Sequence, residues 1–443
     1  MQSFKIRNIL PSDNPKLSFV IKSVLTELGC NLKGTAYYDK ETDAMYNAYQ
    51  KEKTVYFVAE LNNEIVGGCG IGILENNTCE LQKMYILPKA RGYKIGYQLL
   101  QKCIDFAIKN DYDNIYLETF PQMKSAISLY QKNGFFRIDK SLGNTCHYSC
   151  NVWMLKPLKR NVLTLKTEFI SALSEIYTTE ESNHFFTLLA KEYLNLSRVE
   201  IALQPDLMIN EKKLHLFYNG LEKLKNQEPI QYIIGKTEFY NNLFFVNKSV
   251  LIPRPETEEL VDWIVKENKN TKKTLNILDI GTGSGCIAIS LAKNLPSAVT
   301  AIDVLVKALE TAEKNAQLNN VKITLLNKNI LENKDLKLSE KQDIIVSNPP
   351  YVREQEKEQM QKNVLNYEPH LALFVNNDNP LLFYNAIADF ALKNLKPNGK
   401  LYFEINEFLG NKTVALLQEK GFKNVVLKKD IFGKDRMVRG YLV

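Results

Sequence analysis

At roughly 100 to 200 residues per domain, a chain of 443 residues predicts two to four domains and excludes a single small module. With 45% apolar and 24% charged residues each domain can bury a core, which excludes a fibrous, low-complexity or largely disordered chain. The 57 Lys and Arg exceed the 50 Asp and Glu by +7, a surplus too dilute over this length to require direct contact with nucleic acid.

In the front of the chain, Thr54 to Leu61 and Ile65 to Leu74 are β-rich runs split by Asn62-Asn63-Glu64, a hairpin signal. Leu81 to Leu87 is a further strand, stopped by Pro88. Apolar residues at 95, 99, 100, 103, 104, 106, 107 and 108 predict a helix over Ile95 to Lys109 with one broad buried face. Strand, helix and strand follow at Asn114 to Phe120, Ser125 to Lys132 and Asn151 to Leu155, an alternation that predicts an α+β domain around a central sheet. Arg91 to Gly96 forms a turn between strand and helix, where successive backbone N–H groups and the positive end of the dipole suit a pyrophosphate.

That turn, with Ser125 to Phe135 as a later helix and Gly-Phe, resembles the GNAT acetyltransferase family over about residues 3 to 156. The resemblance implies an acetyl-coenzyme A site. Arg91, Gly92, Lys94 and Gly96 would hold the phosphates, main-chain groups of Met84 and Ile86 the pantetheine arm, and Tyr130 would protonate the leaving thiolate. Lys94 stands where the family usually has glycine. Glu80 or Glu118 would deprotonate an amine, the acetyl acceptor itself being unknown.

Lys156 to Asn161 reads as a short basic joint carrying a proline. Helical runs follow at Leu163 to Ile176, Glu181 to Leu194 and Asn210 to Lys225. Beyond Leu251, strands at 275 to 280, 299 to 303, 322 to 326, 342 to 347, 399 to 405 and 424 to 428 alternate with helices, the signature of a mostly parallel, doubly wound sheet. The expected organisation is 1 to 157, α+β; 158 to 248, a small helical recognition domain; and 249 to 443, α/β and Rossmann-like.

Leu275 to Gly285 is an apolar strand running into a glycine-rich turn, in which Gly281, Gly283 and Gly285 let backbone approach a ligand closely. Asp303 ends the next strand, where a carboxylate can accept both ribose hydroxyls of a nucleoside. Glycines alone do not distinguish a dinucleotide from S-adenosylmethionine. Asn348-Pro349-Pro350-Tyr351 then follows a strand: two prolines stiffen the corner. The Asn348 side-chain oxygen and a proline carbonyl can each accept one hydrogen of a planar NH2 group, and Tyr351 can stack on it. Such a clamp aims the nitrogen at an electrophilic methyl, and an amide or an amino-purine nitrogen would fit it.

Residues 159 to 443 resemble the peptide chain release factor glutamine methyltransferases (the HemK/PrmC family), on Pro229 to Gly235, Val250 to Glu258, Asp279 to Gly285, Asn348 to Tyr351 and Tyr367 to Pro369. The resemblance implies S-adenosyl-L-methionine as cofactor, class I release factors as partners, and the glutamine of their Gly-Gly-Gln tip as methyl acceptor. Asp279, Gly281, Thr282, Gly283, Ser284, Gly285, Asp303, Asn329 and Asn348 would bind the cofactor, while Asn348, Pro349, Pro350 and Tyr351 would hold the glutamine, with Asn348, Pro349 and Tyr351 catalytic. Adenine-N6 nucleic-acid methyltransferases and ribosomal-protein glutamine methyltransferases are the alternatives, as is a front domain that only docks the release factor or ribosome. Arg254 and Glu256 could be an ion pair bracing a proline turn. Two departures from the family pattern, Asn329 in place of an acid and Glu404-Ile405-Asn406 in place of a segment with glycine, are expected to lie apart from the transfer geometry.

Seven cysteines include no Cys-x-x-Cys pair. Cys146, His147 and Cys150 come nearest to a zinc set but lack a second pair, so no metal is expected. Without an apolar leader or an ~18-residue apolar run, a cytoplasmic protein without a membrane partner is expected.

Overall fold

The computed structural model describes residues 4–143, 145, 149–332, 338 and 340–443. They form two compact units, Met1–Lys225 and Asn226–Val443.

The first unit opens with β1 (Phe4–Asn8), α1 (Asn14–Glu27) and the single turn α2 (Met45–Ala48), then β2 (Val55–Leu61), β3 (Glu64–Ile73) and β4 (Thr78–Ile86). α3 (Ile95–Lys109), β5 (Asn114–Thr119), α4 (Lys124–Lys132), β6 (Phe136–Ile138) and β7 (Val152–Pro157) complete a seven-stranded sheet of order β1-β2-β3-β4-β5-β7-β6. Each neighbouring pair is antiparallel except β4 and β5, which run parallel and pair only over Thr78–Glu80 and Asn114–Tyr116. Past Glu80 the two strands part, which opens the sheet at its middle. β1 and α1 were not expected, although Leu17, Val20, Ile21, Val24 and Leu25 are buried at helical spacing and carried the signal. β4 starts three residues earlier than expected and is interrupted at Lys83, whose φ of 51° marks a bulge opposite Gly68–Gly70.

The same unit continues through β8 (Arg160–Asn161), α5 (Val162–Leu173), α6 (Thr179–Leu194), α7 (Arg198–Leu203), β9 (Met208–Ile209) and α8 (Glu211–Lys225). α6 starts as its sequence dictates, with the Thr178 hydroxyl and the Glu181 carboxylate capping each other's backbone N–H groups. The basic joint at Lys156 does not behave as a linker. Lys156 is buried, its ammonium donating to the Asn133 carbonyl at 2.7 Å and paired with the Glu211 carboxylate of α8. Phe136 of β6 stacks on Tyr218 of α8 at 4.6 Å. These contacts seat the helices on the front sheet within one unit, and the span 158 to 248 is divided at Lys225.

The second unit holds α9 (Ile230–Ile234), the hairpin β10 (Lys236–Phe239) and β11 (Asn242–Phe245), α10 (Pro255–Asn268), β12 (Leu275–Ile280), α11 (Cys286–Asn294), β13 (Ser297–Asp303), α12 (Val306–Leu318), β14 (Thr324–Asn327) and β15 (Gln342–Ser347). After these come β16 (Val352–Arg353), α13 (Lys362–Tyr367), β17 (Phe374–Val375), α14 (Leu382–Asn394), β18 (Leu395–Glu404), α15 (Gly410–Glu419), β19 (Lys423–Lys429) and β20 (Asp435–Tyr441). Its seven-stranded sheet has the order β14-β13-β12-β15-β18-β20-β19, parallel from β14 to β18, with β20 antiparallel to both neighbours. This is the expected doubly wound α/β architecture. β12 has β13 on one side and β15 on the other, so the chain reverses its winding direction there, and the crevice beyond the carboxyl ends of these strands is where such sheets take ligands. β20 was not expected because Asp435, Arg436, Arg439 and Gly440 hide a strand that buries Met437 in the core on one side of the sheet and Val438 in the core on the other.

Candidate active site

Three strand ends deliver the crevice residues of the second unit. β12 runs into Gly281–Gly285, β13 ends at Asp303, and β15 runs into Asn348. They enclose a cavity of about 220 Å³ whose lining includes Gly281, Thr282, Gly283, Ser284, Asp303, Asn329, Asn348, Pro349 and Pro350. Gly281 and Gly283 have φ of 75° and 55°, and a Cβ at either would meet no atom within 4 Å. They therefore present bare backbone to open space. Gly285 acts differently: a Cβ there would stand 3.0 Å from Ile289 and 3.1 Å from Ala312, so this glycine lets α11 pack against α12.

The Asp303 carboxylate accepts from Gly283 N and Leu305 N, each at 2.9 Å, which ties the glycine turn to the next strand and leaves lone pairs for hydroxyls. Burial pushes its pKa up, and the two N–H groups oppose that. Asp279 lies beneath the turn and does not line the cavity. Its carboxylate accepts from the Thr282 hydroxyl at 2.6 Å, and burial raises its pKa to about 7. Asn329 lines the cavity, with its side-chain oxygen accepting from Leu331 N at 3.0 Å. Asn315 is a brace the sequence did not single out. Fully buried, it donates to Ser284 O at 2.8 Å and Phe245 O at 3.0 Å and holds the turn from behind.

At the clamp, Asn348 Nδ2 donates to Thr257 Oγ1 at 3.2 Å, so Oδ1 is the atom left to accept from a ligand. Pro349 and Pro350 line the cavity; Tyr351 does not. Its hydroxyl donates to Glu404 Oε1 at 3.1 Å, and burial raises its pKa. Contrary to expectation, Glu404 and Asn406 are not remote from this corner. Glu404 also accepts from the Thr257 hydroxyl at 2.6 Å, and Asn406 Nδ2 donates to Tyr351 O at 3.0 Å. Arg254 pairs with Glu368 and not with Glu256. Glu368 also accepts from Ile252 N at 3.2 Å, so it fastens the segment Val250–Arg254 along the cavity wall.

In the first unit, the parting of β4 and β5 borders two spaces. A groove of about 270 Å³ is lined by Met84, Ile86, Arg91, Gly96 and Tyr130, among others. A smaller space of about 40 Å³ is lined by Glu80, Lys83, Glu118, Met84 and Tyr130. Tyr130 borders both. It is buried, its hydroxyl lies 3.5 Å from Met84 Sδ, and burial holds it protonated well above the ordinary tyrosine range. Gly92 and Lys94 stand outside the groove lining. Lys94 adopts φ 61° at the start of α3, the left-handed conformation that favours glycine, so a lysine there is strained. Arg91 is engaged by Glu27 through two 2.7 Å hydrogen bonds.

Cys146 and His147 lie outside the described residues, and among the described residues no cluster of three His, Cys, Asp or Glu side chains could hold a metal. No helix among them is long and apolar enough to cross a membrane.

Residues 25–135 match the family described as Acetyltransferase (GNAT) family, 164–235 the PrmC N-terminal domain, and 258–370 the Methyltransferase small domain. Over 277 residues the chain is 56% identical to a release factor glutamine methyltransferase of Flavobacterium psychrophilum, covering 62% of this chain and 96% of that protein. A second release factor glutamine methyltransferase, from Bacteroides thetaiotaomicron, is 44% identical over 268 residues, 60% of this chain and 95% of its own length. A bifunctional methyltransferase of Rickettsia felis is 37% identical over 280 residues, 57% of this chain and 52% of its own. With 96% and 95% of the two release factor glutamine methyltransferases aligned, the chain, which also carries a match to the GNAT family at its front, belongs to the release factor glutamine methyltransferase family.

Proposed function

We propose that the second unit methylates the side-chain amide nitrogen of the glutamine in the Gly-Gly-Gln tip of class I release factors, and that the first unit is an N-acetyltransferase using acetyl-coenzyme A. The observation that carries the first reading is convergence: the glycine turn, Asp303 and the Asn348-Pro349-Pro350 corner line one cavity. S-adenosylmethionine bound there supplies an electrophilic methyl on sulfur. Bare backbone at Gly281 and Gly283 and the Asp303 carboxylate suit its nucleoside, and Asn329 suits the adenine amino group.

Asn348 Oδ1 and the Pro349 carbonyl accept the two N–H bonds of the incoming amide. That grip leaves the nitrogen lone pair perpendicular to the amide plane. Catalysis is then mainly orientation, because a nitrogen held in line with the methyl carbon reacts as part of a single complex. The new N–C bond forms as the C–S bond breaks, and the surplus proton leaves the nitrogen afterwards. A neutral amide needs no strong base before transfer.

Mass spectrometry of a class I release factor incubated with the enzyme and isotopically labelled S-adenosylmethionine tests this reading. One labelled methyl on the tip glutamine is expected; label in DNA or RNA with none on the glutamine would replace it with adenine-N6 methylation. For the first unit, calorimetric titration with acetyl-coenzyme A is expected to show micromolar or tighter binding. Absence of binding would make that unit a docking module.

A further inference from the structure

We propose that Glu404 is a positioning residue for methyl transfer, fixing through the Thr257 hydroxyl which way round the Asn348 carboxamide sits. The inference rests on the methyltransferase reading above and assigns a role to a buried carboxylate outside the lining of the 220 Å³ cavity.

Glu404 ends β18, and its neighbour Phe403 pairs with Ser347 at the end of β15, so the carboxylate lies directly behind the corner. Burial raises the Glu404 pKa, opposed by the hydrogen bonds from Thr257 and Tyr351 and by the Arg436 charge, and as a carboxylate it only accepts hydrogen bonds. Thr257 has one hydroxyl hydrogen and gives it to Glu404 Oε2 at 2.6 Å. Toward Asn348, 3.2 Å away, Thr257 therefore shows lone pairs alone, and these take the Asn348 NH2 group. The opposite orientation would set a carbonyl oxygen against a hydroxyl oxygen with no hydrogen between them. Asn348 is thereby locked with its nitrogen toward α10 and its oxygen available for the substrate amide.

At 1% exposure, Glu404 has no bulk water to take over the Thr257 hydrogen. Its second oxygen accepts from the Tyr351 hydroxyl at 3.1 Å, so one carboxylate grips both ends of Asn348–Tyr351. Asn406, two residues on, adds a third tie through Tyr351 O at 3.0 Å. Were the Asn348 amide free to flip, its NH2 would face the substrate NH2, donor against donor, and the clamp would lose an acceptor.

The test compares Thr257→Val, which keeps the shape and removes the hydroxyl, with Thr257→Ser, which keeps the hydroxyl, and with Glu404→Gln. For Thr257→Val, kcat on a release-factor peptide is expected to fall about tenfold or more, the loss of one oriented hydrogen bond, while S-adenosylhomocysteine affinity stays within about threefold. Thr257→Ser should recover most of that kcat, and Glu404→Gln should lower kcat in the same sense. A readout free of turnover is the Asn348 side-chain amide by NMR in the S-adenosylhomocysteine complex. Its protons should exchange slowly in the wild type and in Thr257→Ser, and rapidly in Thr257→Val. Unchanged kcat or unchanged exchange in Thr257→Val overturns the proposal, as does an equal loss in Thr257→Ser, which would mark Thr257 as structural only. If the wild type methylates no release factor, the functional reading fails on that result, and amide exchange in Glu404→Gln, expected to be rapid as in Thr257→Val, still decides the role of Glu404, slow wild-type-like exchange overturning it.

Discussion

Asp303→Ala is the sharpest perturbation of the cofactor side of the site. The carboxylate holds Gly283 N and Leu305 N at 2.9 Å each, and its remaining lone pairs face the cavity. A hydrogen bond to a charged group contributes about 1.5–3 kcal/mol. Removing two ribose acceptors should therefore weaken cofactor binding by roughly 3–6 kcal/mol, about two to four orders of magnitude at 1.4 kcal/mol per tenfold. Loss of the backbone ties loosens the glycine turn and adds to the effect. Asp303→Asn should fall between, because its amide nitrogen meets one backbone N–H as donor against donor. Titration calorimetry with S-adenosylhomocysteine measures both affinities, and kcat at saturating cofactor should change much less than Kd. An Asp303→Ala affinity within about threefold of wild type would refute the assignment of this carboxylate to the ribose.

Asp279 makes stability depend on pH in an unusual direction. Because burial raises its folded-state pKa to about 7, above the unfolded value, its contribution is fully present below the ordinary aspartate range and is lost as pH rises through 7. Asp279→Asn without cofactor should gain melting temperature relative to wild type at pH 8 and approach it near pH 5; a constant difference across that range would contradict the burial argument. Glu211→Ala strands the buried Lys156 ammonium with only the Asn133 carbonyl, and should destabilise the first unit by about 3 kcal/mol in chemical denaturation. A cost below about 0.5 kcal/mol would mean that this pair does not seat α8 on the sheet.

The parallel strands of the second unit were legible because buried β-strands read as continuous apolar runs; β12 and β15 have the expected limits. β20 was illegible for the opposite reason, since Arg439 keeps its charge by pairing with Glu267 rather than by reaching solvent freely. The residues in contact with a ligand space were mostly visible in glycine and proline patterns, which report local backbone demands. The supports were not. Glu368 and Glu404 fall in segments the sequence singled out, but Glu404, Asn315 and Glu368 act across 147, 31 and 114 positions of sequence on Thr257, Ser284 and Arg254, and nothing local names those partners. Asp279 and Tyr351 sit in the expected motifs, but their polar atoms turn to Thr282 and Glu404, a choice set by packing behind the turn and the corner.

Turnover of Asn348→Ala on a release-factor tip peptide tests the amide clamp most directly. With the accepting oxygen gone, methyl transfer should fall below detection while S-adenosylhomocysteine affinity stays within about tenfold, or ~1.4 kcal/mol. Near-wild-type turnover in that variant would contradict the clamp.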